Sequence, residues 1–446
     1  MPRRHQVRTT VSVLALTSLM TAGALVHEDG APSPTAHGAL SATDTVTPQL
    51  TATDVATRIT ALQQYLQTHP RDPARWATLS AAYIEQARTT GDSSRYPQAG
   101  DALSRSLALQ PRDNDAALAG YAALAAARHD FQTSLRYADA ALAVNPYGER
   151  ALAVRIDALV ELGRYDEALA AAQHADAVRP GIPAFTRLAY VRELRGDTVE
   201  ARRILILALK DASTPAETAY SATALGNLAW AQGRYDEALA HYATALRADP
   251  QYLPALEGRG RTRASRGDLK GALRDLTTVV QQVPLPAELT ALGETYQASG
   301  NPPQAQRQFA LVAAWSVLAQ ANGVATDLDT AVALTEHGNP MDALAAAHRA
   351  WDQRHTVHTA DALAWALHAR GQDAQALPYA QRSLATGYRN ATFRYHLAII
   401  EMALGRRDQA RVNLRSALAL NPGFSPTGAP AARAALTQLD RLPEPS

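Results

Sequence analysis

The chain has 446 residues and is 47% hydrophobic but only 6% aromatic. Much of its apolar content is alanine, which favours helices and lets them approach closely. The formal net charge of +1 gives no electrostatic basis for binding nucleic acid or an anionic membrane. The sequence has no cysteine, which excludes disulfides, thiolate metal sites and cysteine nucleophiles.

Residues 1–24 have the composition of an export signal. Three arginines precede the apolar run 11–20, which is too short to span a bilayer, and Ala22-Gly23-Ala24 then supplies a small-x-small cleavage sequence. Cleavage after Ala24 would remove three arginines and no acidic residue, which lowers the formal net charge from +1 to −2. We therefore expect an extracytoplasmic protein, secreted or associated with the cell envelope, without stable membrane insertion. An uncleaved N-terminal membrane anchor is the alternative.

The segments on either side of the central region differ from it in composition. Residues 25–50 are rich in Ala, Ser, Thr and Pro and are predicted to form a flexible linker, because they cannot bury enough apolar surface to fold. Residues 51–72 predict a leading helix. Residues 423–446 predict a capping helix followed by a proline-containing tail. The region between them, 73–422, is repetitive.

Internal repetition is the main feature of this central region. The octapeptide GRYDEALA occurs at 163–170 and again, letter for letter, at 233–240. Weaker copies begin at Gly196, Gly267 and Gly300, and others follow toward the C-terminus. The copies recur about every 34 residues, so one structural unit is repeated along the chain.

The residues of these copies resemble the tetratricopeptide repeat. Its pattern of large, small and aromatic positions is matched in order by Leu289, Leu292, Gly293, Tyr296, Ala305 and Phe309. About ten units are predicted, beginning near residues 73, 115, 149, 182, 219, 253, 286, 324, 357 and 391. The resemblance implies an all-α fold, a right-handed α-solenoid of helix-turn-helix units in which each unit buries its apolar face against its neighbours.

Three units depart from the pattern. In the first, the extra segment Thr89–Tyr96 predicts a longer loop between the helices. Arg259 and Arg263 in the unit from 253, and Asp327 and Thr330 in the unit from 324, occupy positions that usually point inward. Looser packing is therefore expected in both later units.

No motif indicates catalysis or a cofactor. The closest candidate is the group His355, His358 and His368 near Asp361, which lacks the spacing of a metal site and is interpreted as surface or groove histidines. We therefore predict no enzymatic activity, no cofactor and no metal site. The basic cluster Arg259–Arg266 has two interpretations: a receptor for an acidic peptide or phosphate, or arginines paired with Glu257 and Glu294.

In tetratricopeptide proteins the first helices of successive units line a concave groove that binds peptides. Carried over by repeat position, the resemblance implies a partner-binding groove here. Its candidate residues are Tyr190, Tyr220, Asn227, Trp230, Arg261, Glu294, Gln297, Trp365, His368 and Tyr395. Trp230 and Trp365 are expected to be main anchors, because large aromatic residues dominate binding energy at interfaces.

The groove of chaperone-binding members holds a C-terminal carboxylate with Lys, Asn and Arg. Only Asn227 and Arg261 fit that set, and Glu257 and Glu294 would repel a carboxylate, so this specialised role is not expected. The function predicted is a protein–protein interaction scaffold or adaptor with a protein or peptide partner and no nucleic acid. The alternatives are an RNA-binding helical repeat, which needs a basic groove, and an enzyme with a site inside the solenoid.

Overall fold

A computed structural model describes residues 52–91 and 93–441, and the structural statements below refer to these residues. The predicted export signal at 1–24, the linker at 25–50 and the end of the predicted tail lie outside them. In the described part of the chain the regular secondary structure is helical, and no strand occurs. None of the helices described is long and apolar enough to cross a membrane.

Ten helix pairs follow one another along the chain. Their first helices are α2 (Pro73–Thr90), α4 (Asp115–Ala127), α6 (Glu149–Glu161), α8 (Ile182–Leu194), α10 (Pro215–Ala231), α12 (Leu253–Ser265), α14 (Pro286–Ala298), α16 (Asp327–His337), α18 (Val357–Ala369) and α20 (Ala391–Ala403). Their second helices are α3 (Tyr96–Leu109), α5 (Phe131–Val144), α7 (Tyr165–Val178), α9 (Thr198–Asp211), α11 (Tyr235–Ala248), α13 (Leu269–Gln282), α15 (Pro302–Ala321), α17 (Pro340–Gln353), α19 (Asp373–Ser383) and α21 (Arg407–Leu420). Helix α1 (Ala52–Thr68) precedes the pairs and α22 (Gly428–Arg441) follows them. The predicted all-α repeat solenoid is confirmed.

Small residues lie where helices approach most closely, as the sequence predicts. A Cβ atom added at Gly226 or Gly258 would lie 2.5 Å or 2.4 Å from the ring of Tyr242, which is fully buried between the two glycines. At Gly293 an added Cβ would lie 2.3 Å from the ring of Phe309. These glycines let α11 and α15 pack their aromatic residues directly against the backbone of first helices.

Helix boundaries follow from local chemistry. Asp72 caps α2 by accepting a hydrogen bond from the backbone N–H of Arg75 at 3.0 Å, and Thr214 and Glu217 form a capping box at the start of α10. The first unit differs from the prediction, because α2 continues to Thr90 and a 3₁₀ turn covers Ser93–Arg95. The extra residues of this unit are therefore taken up mainly by helical turns instead of an extended loop.

The units from the second to the fifth contact the segments that lie six units further along the chain. The His129 ring nitrogen Nδ1 lies 2.7 Å from the carbonyl oxygen of Ala325, 196 residues away. The backbone N–H of Val357 donates to the hydroxyl of Tyr165 at 2.9 Å, across 192 residues. We call this row of contacts the seam. It joins the turn inside each earlier unit to the loop that begins the later segment.

The duplicated octapeptide supplies two of the seam residues. Tyr165 and Tyr235 occupy the same position in the two copies of GRYDEALA. The Tyr235 hydroxyl donates to Oδ1 of Asn421 at 2.5 Å and accepts the N–H of Gly423 at 2.7 Å. Successive turns of the solenoid are therefore hydrogen-bonded edge to edge.

Candidate functional site

The ten predicted groove residues all lie on first helices. Nine are half-buried and Gln297 is exposed. They are Tyr190 on α8, Tyr220, Asn227 and Trp230 on α10, Arg261 on α12, Glu294 and Gln297 on α14, Trp365 and His368 on α18, and Tyr395 on α20. The structure brings six of them into two compact groups, one around Trp230 and one around Trp365.

The first group surrounds Trp230. Its indole N–H donates to the hydroxyl of Ser265 at 2.9 Å, and the guanidinium carbon of Arg261 lies 4.7 Å from the centre of its ring. Arg261 also forms an ion pair with Glu257 at 3.1 Å, and its guanidinium approaches Oδ1 of Asn227. The polar atom and one face of Trp230 are thus engaged within the chain.

The second group surrounds Trp365. Its ring stacks on His396 at 4.0 Å and on His368 at 4.9 Å between ring centres, and Tyr395 lies 5.9 Å away. The indole N–H donates to Oε1 of Glu336 at 3.2 Å. This cluster ties α18 to α16 and α20, so it joins three successive first helices.

The three histidines singled out in the sequence do not converge on one point. His355 packs edge-on against Trp351, His358 packs against Phe393, and His368 bonds to Asp373 at 2.5 Å. Burial lowers the pKa of His358 to about 4. His355 is exposed, whereas His358 and His368 are half-buried among these separate neighbours.

The basic cluster Arg259–Arg266 is paired with carboxylates. Arg259 and Arg263 both bind Asp275, at 2.8 Å and 2.7 Å, and Arg266 binds Asp236 at 2.5 Å. With Arg261 on Glu257, every guanidinium of the cluster has an acidic partner. The geometry favours the interpretation in which these arginines are paired within the chain. Asp275 and Asp236 are acidic partners of the cluster, whereas Glu294 was expected. The two arginines thought to loosen the packing instead surround a buried carboxylate.

Several acidic residues of the first helices form no direct ion pair. Burial raises the pKa of Glu193 on α8 to about 7. On α14, burial and then the nearby Glu257 raise the pKa of Glu288 well above its ordinary value. On α16, burial raises the pKa of Asp329 to about 6 although Arg354 opposes the shift. No described residue forms an ion pair with any of these three carboxylates within 4 Å.

Two arginines of the first helices are paired with carboxylates of their own helix. Arg88 on α2 bonds to Glu85 at 2.8 Å, just as Arg261 bonds to Glu257 on α12. The hydroxyls of Tyr252 and Tyr220, five and four units away, lie close enough to influence the pKa of Arg88. The end of α2 therefore lies near the first helix of the fifth unit and the start of the sixth.

Glu294 and two residues at the end of α16 form a third group, which sequence reasoning did not anticipate. One ligand atom from each of Glu294, Glu336 and His337 lies within 4.8 Å of the others. Burial, and then repulsion from Glu336, raise the pKa of Glu294 to about 8. Glu294 and Glu336 are more than one repeat length apart in the sequence, so no local spacing indicates the group.

Two buried side-chain contacts between neighbouring first helices were also missed. Arg187 binds Asp157 through two bonds of 2.9 Å and 2.8 Å, and His396 bonds to Asp361 at 3.0 Å. The partners are 30 and 35 residues apart, close to one repeat. A search for a basic or imidazole side chain and a carboxylate at repeat spacing on the first helices would have found both.

The tetratricopeptide repeat family model matches residues 223–284, which span about half of α10 and all of α11, α12 and α13. No curated protein sequence matches the chain significantly. Among solved structures, the chain is similar to the APC/C hetero-tetramer Cut9–Hcn1, with 14% identity, a TM-score of 0.41, and coverage of 87% of this chain and 82% of that one. It is also similar to PilW, a type IV pilus biogenesis factor, with 22% identity, a TM-score of 0.38, and coverage of 45% and 92%.

A further similar structure is a thermophilic protein of the same repeat type from Thermus thermophilus, with 26% identity, a TM-score of 0.33, and coverage of 42% and 92%. The helix pair found at 223–284 recurs along the described chain, with small residues at its closest approaches. The family match identifies residues 223–284 as tetratricopeptide repeats, and the recurring helix pair makes the described chain an all-α repeat solenoid.

Proposed function

We propose that this protein is an interaction scaffold that binds a cationic segment of a protein partner against its first helices. Tetratricopeptide repeats serve in general as protein-interaction modules and are typically not enzymes. The observation that carries the proposal is the set of unpaired carboxylates at Glu193, Glu288 and Asp329.

A cationic ligand is favoured because these carboxylates are costly to ionise where they lie. Burial holds them partly protonated, and a lysine or arginine side chain brought alongside would stabilise the charged form. An interaction between opposite charges is also much stronger at such a partly desolvated site than in water. An acidic partner would meet uncompensated repulsion.

The same charge distribution disfavours RNA. An RNA-binding helical repeat needs free arginine or lysine side chains to neutralise phosphates. Here the arginines of the 259–266 cluster are engaged by carboxylates of the chain itself. We therefore propose a polypeptide partner and no nucleic acid.

The aromatic residues give the cationic segment something to pack against. Trp365 and Tyr395 lie next to each other on α18 and α20, and Trp230 lies on α10. Aromatic rings provide a large contact area at a small entropic cost, and they attract cations through their faces. The ten groove residues remain our proposal for the binding face.

We further propose that binding takes place outside the cytoplasm, in the cell envelope or after secretion. Support comes from the charged start, the short apolar run 11–20 and the Ala22-Gly23-Ala24 sequence of the N-terminal region. Sequencing the N-terminus of protein recovered from envelope and medium tests this step. A terminus at Leu25 supports export with cleavage, whereas an intact Met1 in membranes supports the anchored alternative.

The charge proposal can be tested with defined probes. Fluorescence anisotropy would compare a lysine–alanine peptide, a glutamate–alanine peptide of equal length and a single-stranded RNA, each titrated with the full chain. The test variant carries Glu193→Gln, Glu288→Gln and Asp329→Asn. The matched control carries the same number of neutralised acids on second helices.

Three exposed aspartates serve as the control substitutions: Asp101→Asn, Asp342→Asn and Asp352→Asn. We expect the lysine–alanine peptide to bind best, and the inner variant to weaken its binding by about tenfold or more, while the control changes it little. Equal losses in the two variants, or tighter binding of RNA than of the basic peptide, would show the proposal to be wrong.

A further inference from the structure

The group at Glu294, Glu336 and His337 has the donors and the geometry of a cation site. Nε2 of His337 lies 3.8 Å from Oε2 of Glu336, which is too long for a hydrogen bond. The His337 side chain is only 10% exposed, and its buried Nε2 has no hydrogen-bond partner among the described residues. A buried imidazole nitrogen without a partner, close to two carboxylates, requires an explanation.

Neighbouring side chains hold all three donors in place. The Trp365 indole N–H donates to Oε1 of Glu336 at 3.2 Å, and the hydroxyl of Ser425 donates to Oε2 of Glu294 at 3.2 Å. The ring of Phe309 stacks on His337 with 3.6 Å between ring centres and 5° between planes. Such outer contacts orient the ligands of metal sites in proteins and tune their affinity.

We propose that Glu294, Glu336 and His337 bind one divalent transition-metal ion. The ion would link α14 to the C-terminal end of α16 and, through Ser425, to the segment between α21 and α22. Glu294 is also one of the ten proposed groove residues. The site nevertheless contains none of Glu193, Glu288 and Asp329, the carboxylates that carry the proposed peptide binding, so either proposal can fail without the other.

The donor set selects the kind of ion. One imidazole and two carboxylates suit zinc or manganese better than calcium or magnesium, which prefer oxygen donors alone. Around a tetrahedral zinc ion the ligand atoms lie about 3.4 Å apart, given metal–ligand distances of about 2.0–2.2 Å. The observed separations of up to 4.8 Å would close by small side-chain rotations within the same rotamer wells. Three protein ligands leave a coordination position for water or for a donor from a partner.

Calorimetric titration of zinc chloride and manganese chloride into the full chain tests the site. The protein must carry no histidine tag and be stripped with chelator beforehand. The variants are His337→Gln and Glu294→Gln, and the control is His348→Gln, which removes an exposed histidine from the neighbouring helix α17. The absorption spectrum of the Co²⁺-loaded protein provides a second readout, because tetrahedral coordination gives intense visible bands.

We expect one ion per chain, with affinity reduced about tenfold or more by His337→Gln and by Glu294→Gln and unchanged by His348→Gln. The tetrahedral Co²⁺ bands should disappear in His337→Gln protein that keeps the circular-dichroism spectrum of the parent. Absence of saturable binding overturns the proposal, and so does one-to-one binding that survives both substitutions.

Discussion

Replacing Gly163 with alanine should weaken the seam between successive turns of the solenoid. The added Cβ would lie 2.3 Å from the carbonyl oxygen of His355 and 2.8 Å from its carbonyl carbon. Both are backbone atoms, so they cannot move away by a simple rotation. Gly163 also has a φ of +74°, and alanine pays about 1 kcal/mol to adopt such a left-handed conformation.

The contacts beside Gly163 set the remaining cost. If the two turns move apart to make room, the hydrogen bond from Val357 to Tyr165 and the ion pair of Arg354 with Glu161 are strained together. Overpacking of a well-packed contact costs about 1–3 kcal/mol. Together with the backbone strain, the substitution should destabilise the chain by about 2–4 kcal/mol.

Gly371 provides a matched control for this experiment. It lies in the equivalent turn of a later unit with a φ of +70°, but an added Cβ there meets nothing within 4 Å. Gly371→Ala should therefore cost only the backbone strain of about 1 kcal/mol. Urea unfolding followed by circular dichroism measures both variants, and hydrogen exchange at Val357 reports the seam locally. Equal destabilisation of the two variants, with unchanged exchange at Val357, would refute the reasoning.

Three further substitutions test other parts of the structure. Tyr165→Phe removes the acceptor of the Val357 N–H and should lower the free energy of unfolding by about 1–3 kcal/mol in urea titrations, because that donor stays buried. Asp157→Asn leaves the fully buried guanidinium of Arg187 without its charge partner. It should lower the free energy of unfolding by about 3–5 kcal/mol, which appears as a large fall in Tm. A change below about 1 kcal/mol would contradict the burial of the pair. Burial raises the pKa of Glu193 from 4.5 to about 7, so the folded chain holds the proton of this carboxyl more tightly than the unfolded chain does. The stability that this proton gives the folded chain is complete below pH 4.5 and is lost as the pH rises to 7. Glu193→Gln should therefore gain stability relative to the parent between about pH 5 and pH 8 in paired thermal melts, and a constant difference across that range would contradict the assignment.

The repeat pattern predicts the helical units well because each unit is a local structure. Helices were expected to begin near 219 and 324, and they begin at Pro215 and Asp327, since a capping box and a loop move these starts by a few residues. The other eight starts agree with the predicted positions. Small residues at closest approach, such as Gly293 against Phe309, follow from the same periodicity.

The seam could not be predicted from that periodicity. Its contacts join residues 191 and 192 positions apart, for example, and they depend on how much each unit rotates against the next. Gly163 and Gly371 are alike in their place in the unit and in φ, yet only Gly163 meets another turn of the chain. The same long-range winding brings Ser425 to Glu294, which no local pattern indicates.

Helix α15 shows a different limit. The repeat pattern ends the second helix of that unit after one repeat length, but α15 continues to Ala321. The added turns bury Trp315 to 2% exposure in the apolar cluster that includes Val55 and Leu62 of α1. A tertiary contact with the leading helix thus stabilises helical residues that the unit itself does not require.

The central claim is that a cationic partner binds the face formed by the first helices, and site-specific photo-crosslinking tests it most directly. Because the sequence has no cysteine, a single Gln297→Cys variant can carry a benzophenone on α14, and a Val199→Cys variant can carry it on the second helix α9, where the side chain is 82% exposed. Each labelled chain is irradiated with the lysine–alanine peptide. We predict capture of the peptide by the label at 297 and not by the label at 199, with capture suppressed by salt. Equal capture at both positions, or capture only at 199, would contradict the account.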